Sequence, residues 1–473
     1  MAISFSPPAK RRFGKQLSTY ICALVAGGSL SAAALGAGEV PGILFSGGAS
    51  APEKPPVEID ADLPRGAEIR FVSRPSTSFS ACAANRPVCV HGPTTASVSA
   101  ALEMLEAAWT GWVHVLNLPQ PQSDHALGAG PELDWYLVED PPTGFYLDSA
   151  RALSDRGIGF CTSSPTQLDL HYATRCLAQA ASYGMDAAET PALHEAYGAY
   201  AASLLAGPSA STREHIDAVQ ATPHVNPLGR EHNEHSAAGA LWLAYLDQAV
   251  ARSAPGVLPT ALFQLSHAFS VTNSTRWNNE PDSFDVLRRA FNEDPQRFAE
   301  FLSQFAIARA FLGDRDDGTH PPGLAWLEAS GRVHFDWHLS YSTLPRNVAS
   351  PRPLEPLGSS YVWLELDDVP LGARLAFRAQ WEEPARFKWL VVSVDRDGRE
   401  MKRWDVPYLE KGTQLEKTLM GFEGAAGLIF IAMNLDGVDV LHPYDPDFEP
   451  WEPHGYTLYI TQLNTPSSQP SAP

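Results

Sequence analysis

The chain has 473 residues, of which 54 are acidic and 34 are basic, and its formal net charge at pH 7 is −20. This acidic balance argues against a nucleic-acid-binding protein, which needs an excess of lysine and arginine to contact phosphates. Hydrophobic residues make up 44% and charged residues 19% of the chain, a composition that excludes disorder over most of its length. At roughly 100–200 residues per domain, we expect two or three domains.

The first 37 residues have the pattern of an export signal. Basic residues between positions 10 and 15 precede an apolar, alanine-rich stretch at 21–37, which ends in small residues suited to signal-peptidase cleavage. This stretch barely reaches the ~20 apolar residues that cross a bilayer. We predict a cleaved signal peptide at 1–37, with a retained anchor as the alternative, and no other membrane span. The protein is then exported, either to the periplasm or out of the cell.

Composition divides the rest of the chain. Residues 38–66 are rich in glycine, proline, alanine and serine and are predicted to form a linker, and 464–473 a disordered tail. Between them we predict a multidomain α+β protein: a mainly helical domain with a small sheet at 67–326, and an antiparallel β-sandwich at 327–463.

In the helical region, strands are predicted at Ile69–Ser73 and Leu133–Val138. Pro93 and the two threonines after it open a helix whose apolar residues recur at spacings of three and four. Asp294 and Pro295 have the positions of an N-cap and a first helical residue. The further helices are predicted at Leu168–Tyr183, Ala192–Leu205, Ser236–Ala251, Pro259–Phe269, Ser283–Asn292 and Pro295–Leu312.

From about residue 328 the hydrophobic period changes from about 3.6 to about 2 residues, the period of strands. Seven of the twelve tryptophans lie from Trp326 onward, and the alternation directs most of the aromatic rings inward. Such aromatic, proline- and glycine-punctuated strands are typical of a sandwich. The strands are predicted at Val333–Leu339, Tyr361–Leu366, Leu375–Trp381, Phe387–Val394, Leu428–Met433 and Tyr456–Thr461.

Four cysteines remain after the signal, and four cysteines allow three pairings. Proximity in sequence favours Cys82–Cys89 and Cys161–Cys176, because short loops close at the least entropic cost. The alternative is four reduced thiols, which an exported protein disfavours.

Several catalytic motifs are absent from the sequence. It contains no G-x-S-x-G elbow, no P-loop, no Rossmann glycine pattern after a strand and no H-E-x-x-H. Serine hydrolases, nucleotide-dependent enzymes and ordinary zinc peptidases are thereby disfavoured.

The order of elements nevertheless resembles one group of proteins. The strand EIRFVSR precedes the helix ALEMLEAAWTGWVHVLNLPQPQSD, and the strand ELDWYLVED follows it. GIGFC then leads into the helices ATRCLAQAASYGMDAAE and ALHEAYGAYAASL. This layout resembles secreted bacterial zincin-type, gluzincin-like metallopeptidase-like proteins with a C-terminal β-sandwich.

In such families the first of the two late helices carries H-E-x-x-H, and the second supplies a glutamate as third zinc ligand. The motif aligns here with the five residues from Cys176 to Ala180, where both histidines and the catalytic glutamate are missing. Glu195 matches the third-ligand position. The resemblance implies a zincin-like scaffold without zinc, in which Cys176 has been recruited to a disulfide.

Two other sets of residues have a spacing suited to zinc ligands. His232 and His235 are three residues apart, as on one helical face, although polar residues there are also typical of a helix cap. One face of a predicted strand carries His334, Asp336 and His338 in alternation. The alternative to a metal site is that this face is the solvated side of the strand.

Calcium is the second candidate metal. Asp314, Asp316 and Asp317 precede a glycine, and Asp445 and Asp447 lie between predicted strands of the sandwich. The alternative for both groups is a solvated acidic turn. We expect no resident cofactor, with zinc or calcium as the candidates if one is present.

Two functional hypotheses remain. The first is a non-catalytic exported protein that binds a protein or an envelope polymer, or has a structural role, through a degenerate zincin-like domain and a sandwich. The second is an active metal-dependent hydrolase that uses a non-standard set such as Glu195 with His232 and His235. A carbohydrate-binding sandwich would need a row of exposed aromatic rings, which the inward alternation disfavours.

Overall fold

The computed structural model describes residues 73–124, 127–128, 133–151, 156–187, 189–226, 228, 236–247, 254–269, 282–313, 319–320, 331–436 and 452–463. Their contacts divide the chain into two compact units. The first unit contains the described parts of Met1–Ser209 and Gly239–Ala290. The second contains those of Ala210–Ala238, Phe291–Leu441 and Glu449–Pro473.

The described residues form α-helices and three β-sheets. The helices are α1 (Thr95–Trp109), α2 (Leu170–Met185), α3 (Pro191–Ala206), α4 (Ala210–Ala221), α5 (Ala240–Ala244), α6 (Val257–Phe269), α7 (Ser283–Ala290) and α8 (Pro295–Ala310). Along the described residues, none of these helices has the length and apolarity that a membrane crossing requires.

Side-chain caps fix where several helices begin. The hydroxyl of Thr94 accepts a hydrogen bond from the Ser97 amide at 3.1 Å, so α1 starts as Pro93 and its threonines predict. Asp294 accepts from the amides of Gln296 and Arg297 at 3.0 and 3.2 Å, which confirms the predicted cap of α8.

The segment predicted as a helix at Ser236–Ala251 is helical as far as the structure describes it. It begins as a 3-10 turn over Ser236–Gly239, continues as the short helix α5 and then forms a π-helical turn over 245–247. Residues 248–251 lie outside the described residues. Helix α4 was not predicted, because only four of its residues are buried and its apolar stripe is sparse.

The sheet of the first unit has the order β1-β2-β3-β5-β4. Its central strands β2, β3 and β5 run parallel, and the edge strands β1 and β4 are antiparallel to their neighbours. Only β3 was predicted, because the others are short or interrupted by glycine. The strands are β1 (Phe79–Cys82), β2 (Val88–Gly92), β3 (Leu133–Leu137), β4 (Gly144–Arg151) and β5 (Arg156–Ser163).

The second unit contains two further sheets, in the orders β11-β10-β13-β8-β6 and β12-β9-β14-β7. They pack as a sandwich around one apolar cluster, as the sequence predicts. Their strands are β6 (Trp337–Ser340), β7 (Arg346–Ala349), β8 (Ser359–Glu365), β9 (Arg374–Trp381), β10 (Phe387–Val394), β11 (Glu400–Trp404), β12 (Gln414–Met420), β13 (Gly427–Asn434) and β14 (Tyr456–Leu463).

Aromatic rings fill the space between the two sheets. The Phe377 and Phe430 rings meet edge to face at 5.4 Å, and those of Trp389 and Tyr456 at 4.9 Å. Trp337 departs from the predicted inward alternation and is 38% exposed. The alternation of buried and more exposed residues holds from Val333 to Asp336 and is lost at Trp337, where the regular strand β6 begins.

Helix α8 covers the outer face of the five-stranded sheet in the second unit. The Tyr361 hydroxyl on β8 donates to the carbonyl of Ala306 at 2.8 Å, and Lys388 on β10 pairs with Glu300 at 3.2 Å. Every residue of β10 and β13 is therefore buried. A helix that precedes the sandwich in sequence thus belongs to its packing.

Several predicted segments lie outside the described residues. They are the signal at 1–37, the linker at 38–66, the tail at 464–473 and most of the strand at 69–73. The predicted domain boundary at 326–327 stays a prediction, because residues 321–330 also lie outside.

We expect Phe430→Ala to lower the free energy of unfolding of the second unit by about 3–5 kcal/mol, because it removes a fully buried ring from the core. Urea unfolding followed by tryptophan fluorescence measures this loss. The exposed Gln380→Ala on β9 is the matched control and should change the stability by less than about 0.5 kcal/mol. Equal effects of the two substitutions would contradict the proposed core.

Candidate functional site

Helices α2 and α3 lie against each other and hold the residues that the resemblance singles out. They approach closely at Gly198 of α3. A Cβ atom there would lie 2.8 Å from Cγ of Gln179 and 3.0 Å from Cγ of Arg175. A larger residue would push these side chains away, so the glycine permits the contact. Arg175 and Gln179 are consequently among the side chains of α2 that face α3.

The second predicted disulfide is confirmed and fixes the rotation of α2. Cys176 is bonded to Cys161 of β5, with a Cα–Cα distance of 5.9 Å, and both residues are buried. Cys176 therefore faces the sheet and not α3. The first predicted disulfide, Cys82–Cys89, is confirmed as well.

Glu195 lies on α3 and forms an ion pair with the guanidinium of Arg175. The two side chains are 18% and 25% exposed, so water screens the pair only partly. Burial lowers the pKa of Arg175, and the nearby Tyr172 opposes that shift. The carboxylate that matches the family's third zinc ligand is thus neutralised by a side chain of the same protein.

Zinc does not fit this set of side chains. Arg175 and Gln179 have the i, i+4 spacing of the two histidines in H-E-x-x-H. A guanidinium has no lone pair to offer a metal ion, and its positive charge would repel one. Cys176 is unable to act as a thiolate ligand because it is in a disulfide.

His194, the neighbour of Glu195, points into the core. Its Nδ1 lies 2.7 Å from the Ser182 hydroxyl, and its ring stacks on Tyr183 with centroids 3.6 Å apart. Complete burial lowers its pKa to about 3, so the imidazole is neutral at physiological pH. It supports the packing of α2 on α3.

A second group of buried acids lies at the N-terminus of α7. Glu189 accepts hydrogen bonds from the amides of Thr190 and Ser283, both at 2.8 Å. Asp282 caps the helix by accepting from the Asp285 amide at 2.8 Å. Burial and the nearby Asp186 raise the pKa of Glu189 to about 7.

A third buried cluster was missed in the sequence. On the sheet of the first unit, Asp134 lies 2.7 Å from Nε2 of His91 and also pairs with Arg74. Arg74 pairs in addition with Asp124 at 2.9 Å. An aspartate inside the buried run LDWYL was the available signal, since a buried carboxylate requires a partner. Each carboxylate of the cluster therefore has at least one basic side chain as a partner.

The set His334, Asp336 and His338 does not assemble as metal ligands. The Ser360 hydroxyl donates a hydrogen bond to Asp336, while His338 packs edge-on against Phe335 at 5.6 Å. Only His338 of the three lies within the regular strand β6, which begins at Trp337. Within the described part of the chain, no group of three or more histidine, cysteine, aspartate or glutamate residues has metal-binding geometry.

The other predicted ligands stay predictions. The pair His232 and His235, the aspartates at 314, 316 and 317, and those at 445 and 447 all lie outside the described residues.

Comparison with known proteins gives limited similarity. No protein-family profile matches the chain, and no curated protein matches it either. Among solved structures, the pre-peptidase C-terminal domain of a Bacillus anthracis collagenase is 9% identical, covers 28% of this chain and all 100% of its own, and has a TM-score of 0.17.

Two further solved structures have comparable scores. A mitogen from Yersinia pseudotuberculosis is 12% identical, covers 27% of this chain and 93% of its own, and has a TM-score of 0.18. The CBM22-1 xylan-binding domain of Paenibacillus barcinonensis Xyn10C is 13% identical, covers 25% of this chain and 73% of its own, and has a TM-score of 0.17. These scores are too low to assign a family or a function.

We expect Glu189 to contribute a stability to the first unit that falls as pH rises from about 4.5 to about 7, whereas His194, whose pKa is lowered, contributes in the opposite sense below about pH 6.5. Over this range the folded Glu189 keeps a proton that the unfolded chain has released, since its pKa is raised from 4.5 to about 7. One such group contributes a slope of up to about 1.4 kcal/mol per pH unit. Urea unfolding at a series of pH values measures the slope.

In Glu189→Gln this part of the slope should be absent, because the amide does not titrate. Glu416→Gln, at an exposed position on β12, is the control and should keep it. Identical pH profiles for the wild type and Glu189→Gln would contradict the prediction.

Proposed function

We propose that the protein is an exported, non-catalytic member of a metallopeptidase-like lineage, a pseudoenzyme in which an internal ion pair has replaced the metal. The observation that carries this proposal is the pairing of Arg175 with Glu195 between α2 and α3. Its role is then binding or structural, with a protein or an envelope polymer as the partner.

The arrangement of the first unit supports a zincin-like framework. Helix α1 lies between the parallel strands β2 and β3, and an antiparallel edge strand β4 precedes β5. Helix α2 follows β5 and is tied to it by the Cys161–Cys176 bond. Helix α3 then brings Glu195 against α2, in the order that the resemblance implies.

The charge of the pair supports the loss of the metal. A lone carboxylate between two packed helices is costly, because burial disfavours its ionised form. In the proposed lineage the metal cation once compensated Glu195, and the Arg175 guanidinium now does so. The two positions that correspond to the zinc-binding histidines are then Arg175 and Gln179. The sequence alignment gives Cys176 and Ala180 instead, each one residue later in the chain.

Export is supported by the cysteines. Both disulfides join the cysteine pairs that proximity in sequence favours. Disulfides persist in oxidising compartments such as the bacterial periplasm and the extracellular space.

The metal requirement can be tested on the purified mature protein. We expect less than stoichiometric zinc by elemental analysis and no change in melting temperature on adding zinc, because a ligand that binds only the native state must raise its stability. Stoichiometric zinc that is lost in Glu195→Gln would favour the alternative, an active metal-dependent hydrolase.

A gain-of-site variant tests the framework itself. Arg175→His with Gln179→His places two imidazoles at i, i+4 opposite Glu195, which is a His2Glu zinc set. At zinc 100-fold above its dissociation constant, the stability should rise by about 2.7 kcal/mol, seen as a higher melting temperature.

The matched control adds Glu195→Gln to the same double variant. It should lose most of the zinc response if Glu195 is the third ligand. A double variant that folds but shows no zinc response beyond the wild type would contradict the zincin-like framework.

A further inference from the structure

The two disulfides have opposite surroundings. Cys82 and Cys89 are directly opposite each other on the paired strands β1 and β2, and Cys82 is exposed. Cys161 and Cys176 are 1% and 2% exposed and lie between the sheet and α2. An external thiol therefore has a path to Cys82 and none to the second bond.

Strand β1 is a weakly held edge. It pairs with β2 over four residues, from Phe79 opposite Gly92 to Cys82 opposite Cys89. Three of its four side chains are exposed, and Phe79 itself is 44% exposed. Little apolar burial holds β1 in place, so the disulfide is its main side-chain attachment to β2. Strand β2, in contrast, is buried throughout.

We propose that the Cys82–Cys89 disulfide is a site of thiol exchange, a reducible clasp that holds β1 on the sheet while Cys161–Cys176 stays oxidised. The co-reactant is a thiol or dithiol of the glutathione or thioredoxin class. This proposal is independent of the proposed function, since neither cysteine lies in the α2–α3 contact.

The exchange is a thiol–disulfide reaction in two steps. An incoming thiolate attacks Sγ of Cys82, the bond to Cys89 breaks, and Cys89 leaves as a thiolate that takes up a proton. A second external thiolate then attacks the external sulfur of the mixed disulfide, the bond to Cys82 breaks, and Cys82 leaves as a thiolate that takes up a proton. Two external thiols are oxidised to one disulfide, and the protein disulfide is reduced to two cysteine thiols.

Reduction has a defined structural consequence. Strand β1 loses its cross-link to β2 and is then held on it only by the four-residue ladder, from which it can detach and leave the edge of β2 free to pair. An uncovered strand edge accepts a further strand through backbone hydrogen bonds. The parallel pairing of β2 with β3 and the buried second disulfide keep the rest of the sheet in place.

The experiment treats the native full chain with increasing reduced glutathione or dithiothreitol, alkylates the free thiols and identifies them by peptide mass spectrometry. We expect Cys82 and Cys89 to be labelled at a reductant concentration at least tenfold lower than Cys161 and Cys176. With glutathione, the mixed disulfide should form on Cys82. Simultaneous reduction of both bonds, or earlier reduction of Cys161–Cys176, would overturn the proposal.

Hydrogen exchange on the same samples tests the consequence. Reduction should raise amide exchange across 79–92 and leave α2 and α3 unchanged. The double variant Cys82→Ser with Cys89→Ser should show the raised exchange without reductant and no further response to it. Unchanged exchange across 79–92 in the reduced protein would refute the clasp.

Discussion

The close contact of α2 with α3 at Gly198 is the constraint on which the first unit depends. Because the helices approach so nearly, the facing side chains must either be small or satisfy each other. Arg175 and Glu195 satisfy each other by charge, and Ser182 and His194 do so by a hydrogen bond. The interface is thereby polar at both places, and the buried Nε2 atom of His194 has no hydrogen-bond partner among the described residues.

Other buried polar groups in this unit are also compensated by ion pairs or hydrogen bonds. Arg74 and Asp134 neutralise each other on the sheet, and the amide of Ser283 at the N-terminus of α7 satisfies one oxygen of Glu189. Catalytic sites hold perturbed groups where a substrate can reach them. Here the groups with the largest shifts, such as His194, are fully buried. This distribution agrees with the non-catalytic role that we propose.

The sequence predicted the elements whose signals are local. The cap and stripe of α8, the alternating strands β9 and β10, and both cysteine pairs depend on residues close in the chain. The edge strands β1 and β11 were missed because their side chains are largely solvated and carry no clear period. Glu195 was placed on the correct helix.

Its partner was not predicted, because it depends on how α2 is rotated about its axis. A difference of one residue turns a helix by about 100°, which decides whether Arg175 or Cys176 faces α3. That rotation is fixed by the bond to β5, which proximity in sequence predicts, and by the packing against the glycine on α3, which no local pattern encodes.

The position of α8 on the sandwich has a consequence for how the protein can be divided. Ile429 and Ile431 on β13 alternate with the residues of the inter-sheet core and are buried on the side where α8 packs. A fragment that begins at β6 would expose this apolar face to solvent, and the fragment would be prone to self-association. The recombinant piece that retains the native sandwich must therefore include the upstream helix, even though every strand lies downstream of it.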